Sequence, residues 1–362
     1  MTLFPVLVFL YGGVGSSAGE WTPDEQVRME NPSSVSVSPD GAWAVFSVGS
    51  VGGEPGNLTA TGSLVLREVS ADAADATPLP TAFCADGSCA SPSFGSDGTL
   101  LFIKSGELYA STNSGGAAWS VPRVVQSLPA GDIISYSVAP DGKSVATTYA
   151  EMGTYSATEG RVITTDVIVN VITGTPQPTR NVLCVGTLGG GAAPTRCYPQ
   201  LSGSVGMEGW RISCWPYDST VSWSADGHTL ALTLTANRLA NDWESVRVAL
   251  LDTRGPATPT VRFVGDQIAF QPLFAPDGKT LAFTQSVSAT NYTWSQTWKI
   301  CVVDVSAPSG AAARCDESGT FDEMPTLVGW APRGDALLYV EQVSLLSLLS
   351  LPLQFTRILL TI

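Results

Sequence analysis

The chain has 362 residues, 44% of them apolar and only 14% charged, with 36 glycines and 24 prolines. That is enough apolar material for one large repeat domain, and the glycine and proline content favours many short strands over helices. The formal net charge of -14 sets aside nucleic acid and anionic membrane surfaces as partners, because most of the surface would repel them.

Residues 2–11 form an apolar run, and Ser16 and Ala18 occupy the small-residue positions a signal peptidase reads. The expectation is a signal peptide over residues 1–18 and export; a buried first strand is the alternative. Residues 21–30 then predict a short helix, with Thr22 as cap, Pro23 at the first helical position and acids in the first turn.

From residue 34 onward one hairpin is written six times. Each copy has an apolar residue (Val37, Phe94, Val138, Trp223, Phe274, Trp330) four places before a turn glycine (Gly41, Gly98, Gly142, Gly227, Gly278, Gly334), followed by alternating apolar positions. Asp40, Asp97, Asp141, Asp226 and Asp277 precede the first five glycines, while Arg333 stands in the sixth copy. Aspartate bonds the local backbone, and glycine takes the left-handed conformation that closes the loop.

Third strands are expected over residues 63–69, 107–111, 161–172, 247–252 and 299–304. Successive turn glycines are 57, 44, 85, 51 and 56 residues apart, so the interval from Gly142 to Gly227 holds either an unrecognised unit or, preferred here, an insertion over residues 182–216. A unit of this size cannot bury its own faces, and radial stacking solves that problem. The fold expected over residues 19–342 is an all-β propeller of six or seven four-stranded blades. Residues 343–362 are apolar but interrupted by Pro352, Gln354 and Arg357, which fits neither a membrane span nor the repeat; an incomplete last blade is expected there.

Six of the seven cysteines sit as local pairs: Cys84 with Cys89, Cys184 with Cys197, and Cys301 with Cys315. Cys214 is left over and competes with Cys184 for Cys197. Such pairing, with the acceptor triplets at Asn57 and Asn291, suits a secreted glycoprotein. A single histidine and no close Cys-x-x-Cys pair leave no zinc-ligand spacing, and neither a metal nor a cofactor is expected. One aspartate per repeat unit, each bonded to its own turn, is turn chemistry and not a metal cluster.

The opening Trp21-Thr22-Pro23, the short acidic helix and Ser38-Pro39-Asp40-Gly41 together resemble the start of the prolyl-oligopeptidase family, of the acylaminoacyl-peptidase and dipeptidyl-peptidase types. The resemblance covers residues 21 to about 342 and implies an N-terminal propeller that filters peptide access to a hydrolase domain bearing a serine, aspartate and histidine triad. TolB-like proteins share the repeat without the peptidase, as assembly scaffolds. No hydrolase domain is expected within these 362 residues. Gly15-Ser16-Ser17-Ala18-Gly19 matches a nucleophile elbow but lies in the expected leader, and the sole histidine, His228, falls on a hairpin turn, so no triad can be assembled. The expected role is a non-catalytic propeller binding peptide or protein. A fragment of an active serine peptidase and a TolB-like scaffold are the alternatives.

Overall fold

The computed structural model describes residues 31–54, 57–69, 77–78, 83–84, 89–113, 118–128, 131–152, 178–188, 196–198, 211–212, 221–235, 246–255, 261–265, 268–287, 297–308, 312–316, 325–343 and 353–361. The expected leader and elbow motif, the helix over residues 21–30, Cys214 and Asn291 lie outside the described residues.

All regular structure there is β, arranged as consecutive antiparallel meanders. The first blade is β1 (Asn31–Val37), β2 (Trp43–Glu54), β3 (Asn57–Glu68) and β4 (Thr77–Pro78). The second is β5 (Cys89–Phe94), β6 (Leu100–Lys104), β7 (Glu107–Ser111) and β8 (Arg123–Gln126). The third comprises β9 (Ile133–Val138), β10 (Ser144–Met152), β11 (Pro178–Thr187) and β12 (Arg196–Tyr198). After β13 (Arg211–Ile212) comes the fourth, β14 (Ser222–Trp223), β15 (Thr229–Thr235), β16 (Arg247–Asp252) and β17 (Arg262–Val264). The fifth is β18 (Ala269–Phe274), β19 (Thr280–Ser286), β20 (Trp298–Asp304) and β21 (Arg314–Cys315). The sixth has β22 (Thr326–Trp330), β23 (Ala336–Val343) and β24 (Leu353–Thr361).

Several expectations are corrected. The third strand of the third blade is β11, not residues 161–172, which lie outside the described residues. Between Gly142 and Gly227 the described strands belong to blades three and four, except for two-residue β13, which pairs with both β11 and β15 and joins the two sheets. Residues 182–216, expected as an insertion, thus include most of β11 and all of β12, the third and fourth strands of the third blade, and most of the rest of the interval lies outside the described residues. In the first blade, β2 and β3 pair in register from Trp43↔Glu68 to Glu54↔Asn57, so Asn57 starts a strand at a hairpin tip where a longer loop was expected. The apolar tail does continue the repeat, since β24 pairs along β23 as a third strand. Its mixed apolar pattern carries no turn signal that could have placed it.

One apolar core fills each junction between successive blades. Val45, Leu66, Leu100 and Phe102 join the first pair, and Leu101, Ile103, Ile133 and Val145 the second. Leu183, Tyr198, Leu230 and Leu232 join blades three and four; Val248, Leu250, Leu281 and Phe283 join four and five; Phe270, Ile300, Leu337 and Tyr339 join five and six. The second strand of a blade has a neighbour on each face. Accordingly β15 and β19 are buried from Leu230 to Thr235 and from Leu281 to Ser286 without interruption, large and small residues alternating as in Leu230-Ala231-Leu232.

The expected cysteine pairs are all disulfides: Cys84–Cys89, Cys184–Cys197 and Cys301–Cys315. Two of them join directly opposed residues of a third and a fourth strand, on β11 with β12 and on β20 with β21. Those fourth strands have only three and two residues, too few for ladder hydrogen bonds alone to hold them.

Candidate functional site: the central channel

The six turns set the geometry of the ring. Every turn glycine has positive φ, from +65° at Gly278 to +79° at Gly98, and donates its N–H to the carbonyl three residues back, at 2.8 to 3.0 Å. This is the four-residue turn in which a proline presets the second position and glycine occupies the fourth. Each turn aspartate accepts from the backbone just beyond it: Asp40 from Ala42, Asp97 from Thr99, Asp141 from Lys143, Asp226 from His228 and Asp277 from Lys279, at 2.8 to 3.0 Å. In the sixth copy Arg333 pairs instead with Asp335 at 2.7 Å. Among the described residues no three potential ligands come together to hold a metal. His228 is exposed on its turn, and its carbonyl accepts from the N–H and hydroxyl of Thr253.

The Ser224 hydroxyl, then the His228 N–H, hold the Asp226 carboxyl below the ordinary carboxylate value. For Asp277 the Lys279 N–H is the leading cause of a shift in the same direction. A folded value below the unfolded one means stabilisation that is fully present above the unfolded value of about 3.9 and is lost as pH falls through the lowered folded value. The melting temperature should therefore hold between neutral pH and about pH 5 and fall below about pH 4. D226N/D277N, which keeps the acceptor oxygens but does not titrate, should flatten that fall. A double variant as acid-sensitive as the parent would assign the effect elsewhere.

The first strand of every blade, β1, β5, β9, β14, β18 and β22, lines one cavity of about 640 Å3. In five of them the register slips at the cavity wall, at residues 33–36, 90–93, 133–135, 270–273 and 327–329. Such a bulge pushes a residue out of the ladder and re-aims its side chain. Ser34, Ser91 and Gln271, each seven residues before its turn glycine, have φ of +53°, +51° and +53°. A non-glycine residue there costs about 1–2 kcal/mol, and the same strain recurs in three blades along one wall of the cavity.

Hydrogen bonds sew each first strand to the one before it. Phe94 N–H donates to Ser36 Oγ at 3.1 Å, and Phe274 N–H to Ser222 Oγ at 2.9 Å, the same bond at the junctions of blades one with two and four with five. Trp223 Nε1 donates to the Ser137 carbonyl and Trp330 Nε1 to the Leu273 carbonyl, at 3.0 and 3.1 Å. The Leu327 N–H donates to Gln271 Oε1 at 2.8 Å. Between blades two and three, the Tyr136 hydroxyl lies 2.7 and 2.8 Å from the Ser91 and Leu101 carbonyls and 2.9 Å from Ser93 Oγ, and burial pushes its phenol well above the ordinary value. The sequence carries a signal for these serines, since Ser36, Ser93, Ser137 and Ser222 all stand five residues before their turn glycine.

Among the described residues the channel lining has no charged side chain. Seven serines, Gln271 and apolar residues make it neutral, with Val35 and Val328 half-exposed at opposite ends of the repeat order. Hydroxyls both donate and accept, as do peptide amides. His228 does not line the channel.

No protein-family model matches the chain, and no curated protein does. Solved structures do match. The acylaminoacyl peptidase of Pyrococcus horikoshii superposes with a TM-score of 0.55 at 9% identity, over 89% of this chain and 44% of that one. An acylaminoacyl peptidase in complex with Z-Gly-Gly-Phe-chloromethyl ketone gives 0.56, again at 9% identity over 89% and 44%. Prolyl oligopeptidase B from Galerina marginata gives 0.46 at 11% identity, over 89% and 39%. At these identities the likeness is one of fold, and the chain spans less than half the length of the structures it matches.

Proposed function

We propose that the chain is a secreted, non-catalytic propeller that binds an extended peptide or a loosely folded protein segment in its central channel. One observation carries this reading: a single cavity of about 640 Å3, walled by the first strand of all six blades and lined by hydroxyls without a charge. A neutral hydroxyl lining suits the alternating donors and acceptors of an extended backbone and is indifferent to side-chain sequence. Three disulfides support an oxidising compartment and hence export.

The test is calorimetric titration with an uncharged, unstructured peptide of alanine, serine, valine and glutamine. Val35→Trp with Val328→Trp fills the channel from two exposed positions, 50% and 56% accessible, and should weaken binding about tenfold with the melting temperature unchanged. Equal affinity in the parent and a folded double variant would remove the channel from the account.

A second reading has one observation in its favour. Matching 44% of the acylaminoacyl peptidase chains fits the gating half of a longer serine peptidase. A nucleophile elbow followed by aspartate and histidine, encoded beyond Ile362, decides for it.

A further inference from the structure

A second cavity, of about 570 Å3, opens between the first and second blades at their turn ends. Its walls include Trp43, Phe94 and Trp119, with the carboxylates of Asp40 and Asp97 at its edge. All three aromatics are half-buried and packed at the back against the core of the first two blades, so they are held rigidly with one side open to the cleft. Phe94 and Trp119 sit with ring centroids 6.0 Å apart and planes tilted by 42°. The Trp119 indole N–H is buried and finds no acceptor among the described residues.

The hairpin does not require this arrangement. Two places after the turn glycine, where the first copy has Trp43, the others have Leu100, Ser144, Thr229, Thr280 and Ala336. The residue directly after the turn glycine is basic in the third, fourth and fifth copies, Lys143, His228 and Lys279, and is Ala42 or Thr99 in the first two. The turn carboxylates of blades three to five thus each have a basic neighbour, and those at this cleft do not. No lysine, arginine or histidine is among its described lining residues. Asp40 spends only one oxygen on the turn: Oδ1 accepts from the Ser38 hydroxyl at 2.5 Å and the Ala42 N–H at 3.0 Å, and Oδ2 has no partner among the described residues. The Ser38 hydroxyl, the leading cause, holds this carboxyl below its ordinary value, so it is ionised at neutral pH.

We infer that this cleft binds the cationic side chain of a basic peptide, an arginine guanidinium or lysine ammonium stacked on Trp43 and Trp119 and facing Asp40 and Asp97. Aromatic faces attract cations through the ring quadrupole, and uncompensated carboxylates add charge at the same place. A neutral sugar would also stack on the indoles but would leave the carboxylates without a counter-charge, which is why the cation is favoured. The site is separate from the central channel, and its test does not depend on peptide binding there.

The experiment follows the indole N–H resonances of Trp43 and Trp119 in the whole chain. It is titrated with acetyl-Gly-Arg-Gly-amide and with its neutral isostere carrying citrulline. The arginine peptide should shift both resonances saturably and the citrulline peptide should bind about tenfold more weakly. Asp40→Asn keeps a turn acceptor and removes the charge, and should weaken the arginine peptide about fivefold in a protein that still unfolds cooperatively. Trp43→Leu, the residue of the second copy, should do the same for stacking. Equal binding of the two peptides, undiminished binding in D40N, a shift only with a neutral oligosaccharide, or no shift at all would each overturn the proposal.

Discussion

Replacing Phe283 by alanine is expected to lower the unfolding free energy by about 3–5 kcal/mol, the range for deleting a buried aromatic ring. Phe283 is fully buried on β19, in the core that joins the fourth and fifth blades. Its ring meets residues of both sheets, with its edge 3.5 Å from where a side chain on Gly265 would begin. Strands fixed on both faces by cross-blade packing cannot collapse into the vacated volume, so the cavity remains. Urea denaturation followed by tryptophan fluorescence measures the loss, with Val121→Ala, at a site 83% exposed, as a control expected to change little. A loss below about 1 kcal/mol for F283A would mean the junction is loosely packed.

Removing the Cys301–Cys315 bridge should cost about 3 kcal/mol, because it closes a loop of about 15 residues in the unfolded chain. The position of the bond adds a local consequence. Cys301 and Cys315 are directly opposed across β20 and β21, and β21 is Arg314–Cys315 alone. C301A/C315A should therefore lower the melting temperature and also expose the outer edge of the fifth blade to proteolysis after Arg314. A double variant that melts as the parent does, with no new cleavage there, would show that the blade edge is held by something other than the bond.

What the sequence conveyed was the hairpin and its count. An apolar residue, an aspartate and a glycine at fixed spacing are local chemistry, and local chemistry needs no partner to be read. The strands over residues 107–111 and 247–252 follow at short intervals and lie where their apolar pattern placed them. Strands reached by a long connection were misplaced or missed, as with β11 and β24, since no turn signal introduces them and their apolar pattern acquires meaning only against β10 and β23. The channel was legible only in part. Serines five places before the glycine recur in four copies, yet their use as acceptors for the next blade depends on how successive blades stack, which spacing along one chain does not encode. The bulges are harder still: positive φ at Ser34, Ser91 and Gln271 goes against the preference of those residues and is imposed by the surrounding sheets.

The same limit applies to the cleft between the first two blades. Trp43 and Trp119 are 76 positions apart, and nothing in either neighbourhood announces the other. The contrast that gives the cleft its charge, basic residues after three turns and none after the first two, is visible in the sequence once the copies are aligned. Only the packing of β2 against β5 and the return of the chain at Trp119 turn that contrast into a site.

The channel is tested most directly by photo-crosslinking. A neutral, unstructured peptide carrying one benzophenone side chain is irradiated with the protein, and the adducts are mapped by mass spectrometry. The account predicts adducts on the first strands, at residues 34–36, 91–93, 135–138, 221–223, 271–273 and 327–328, all suppressed by excess unlabelled peptide. Adducts confined to third and fourth strands, or adducts that excess peptide does not displace, would contradict it.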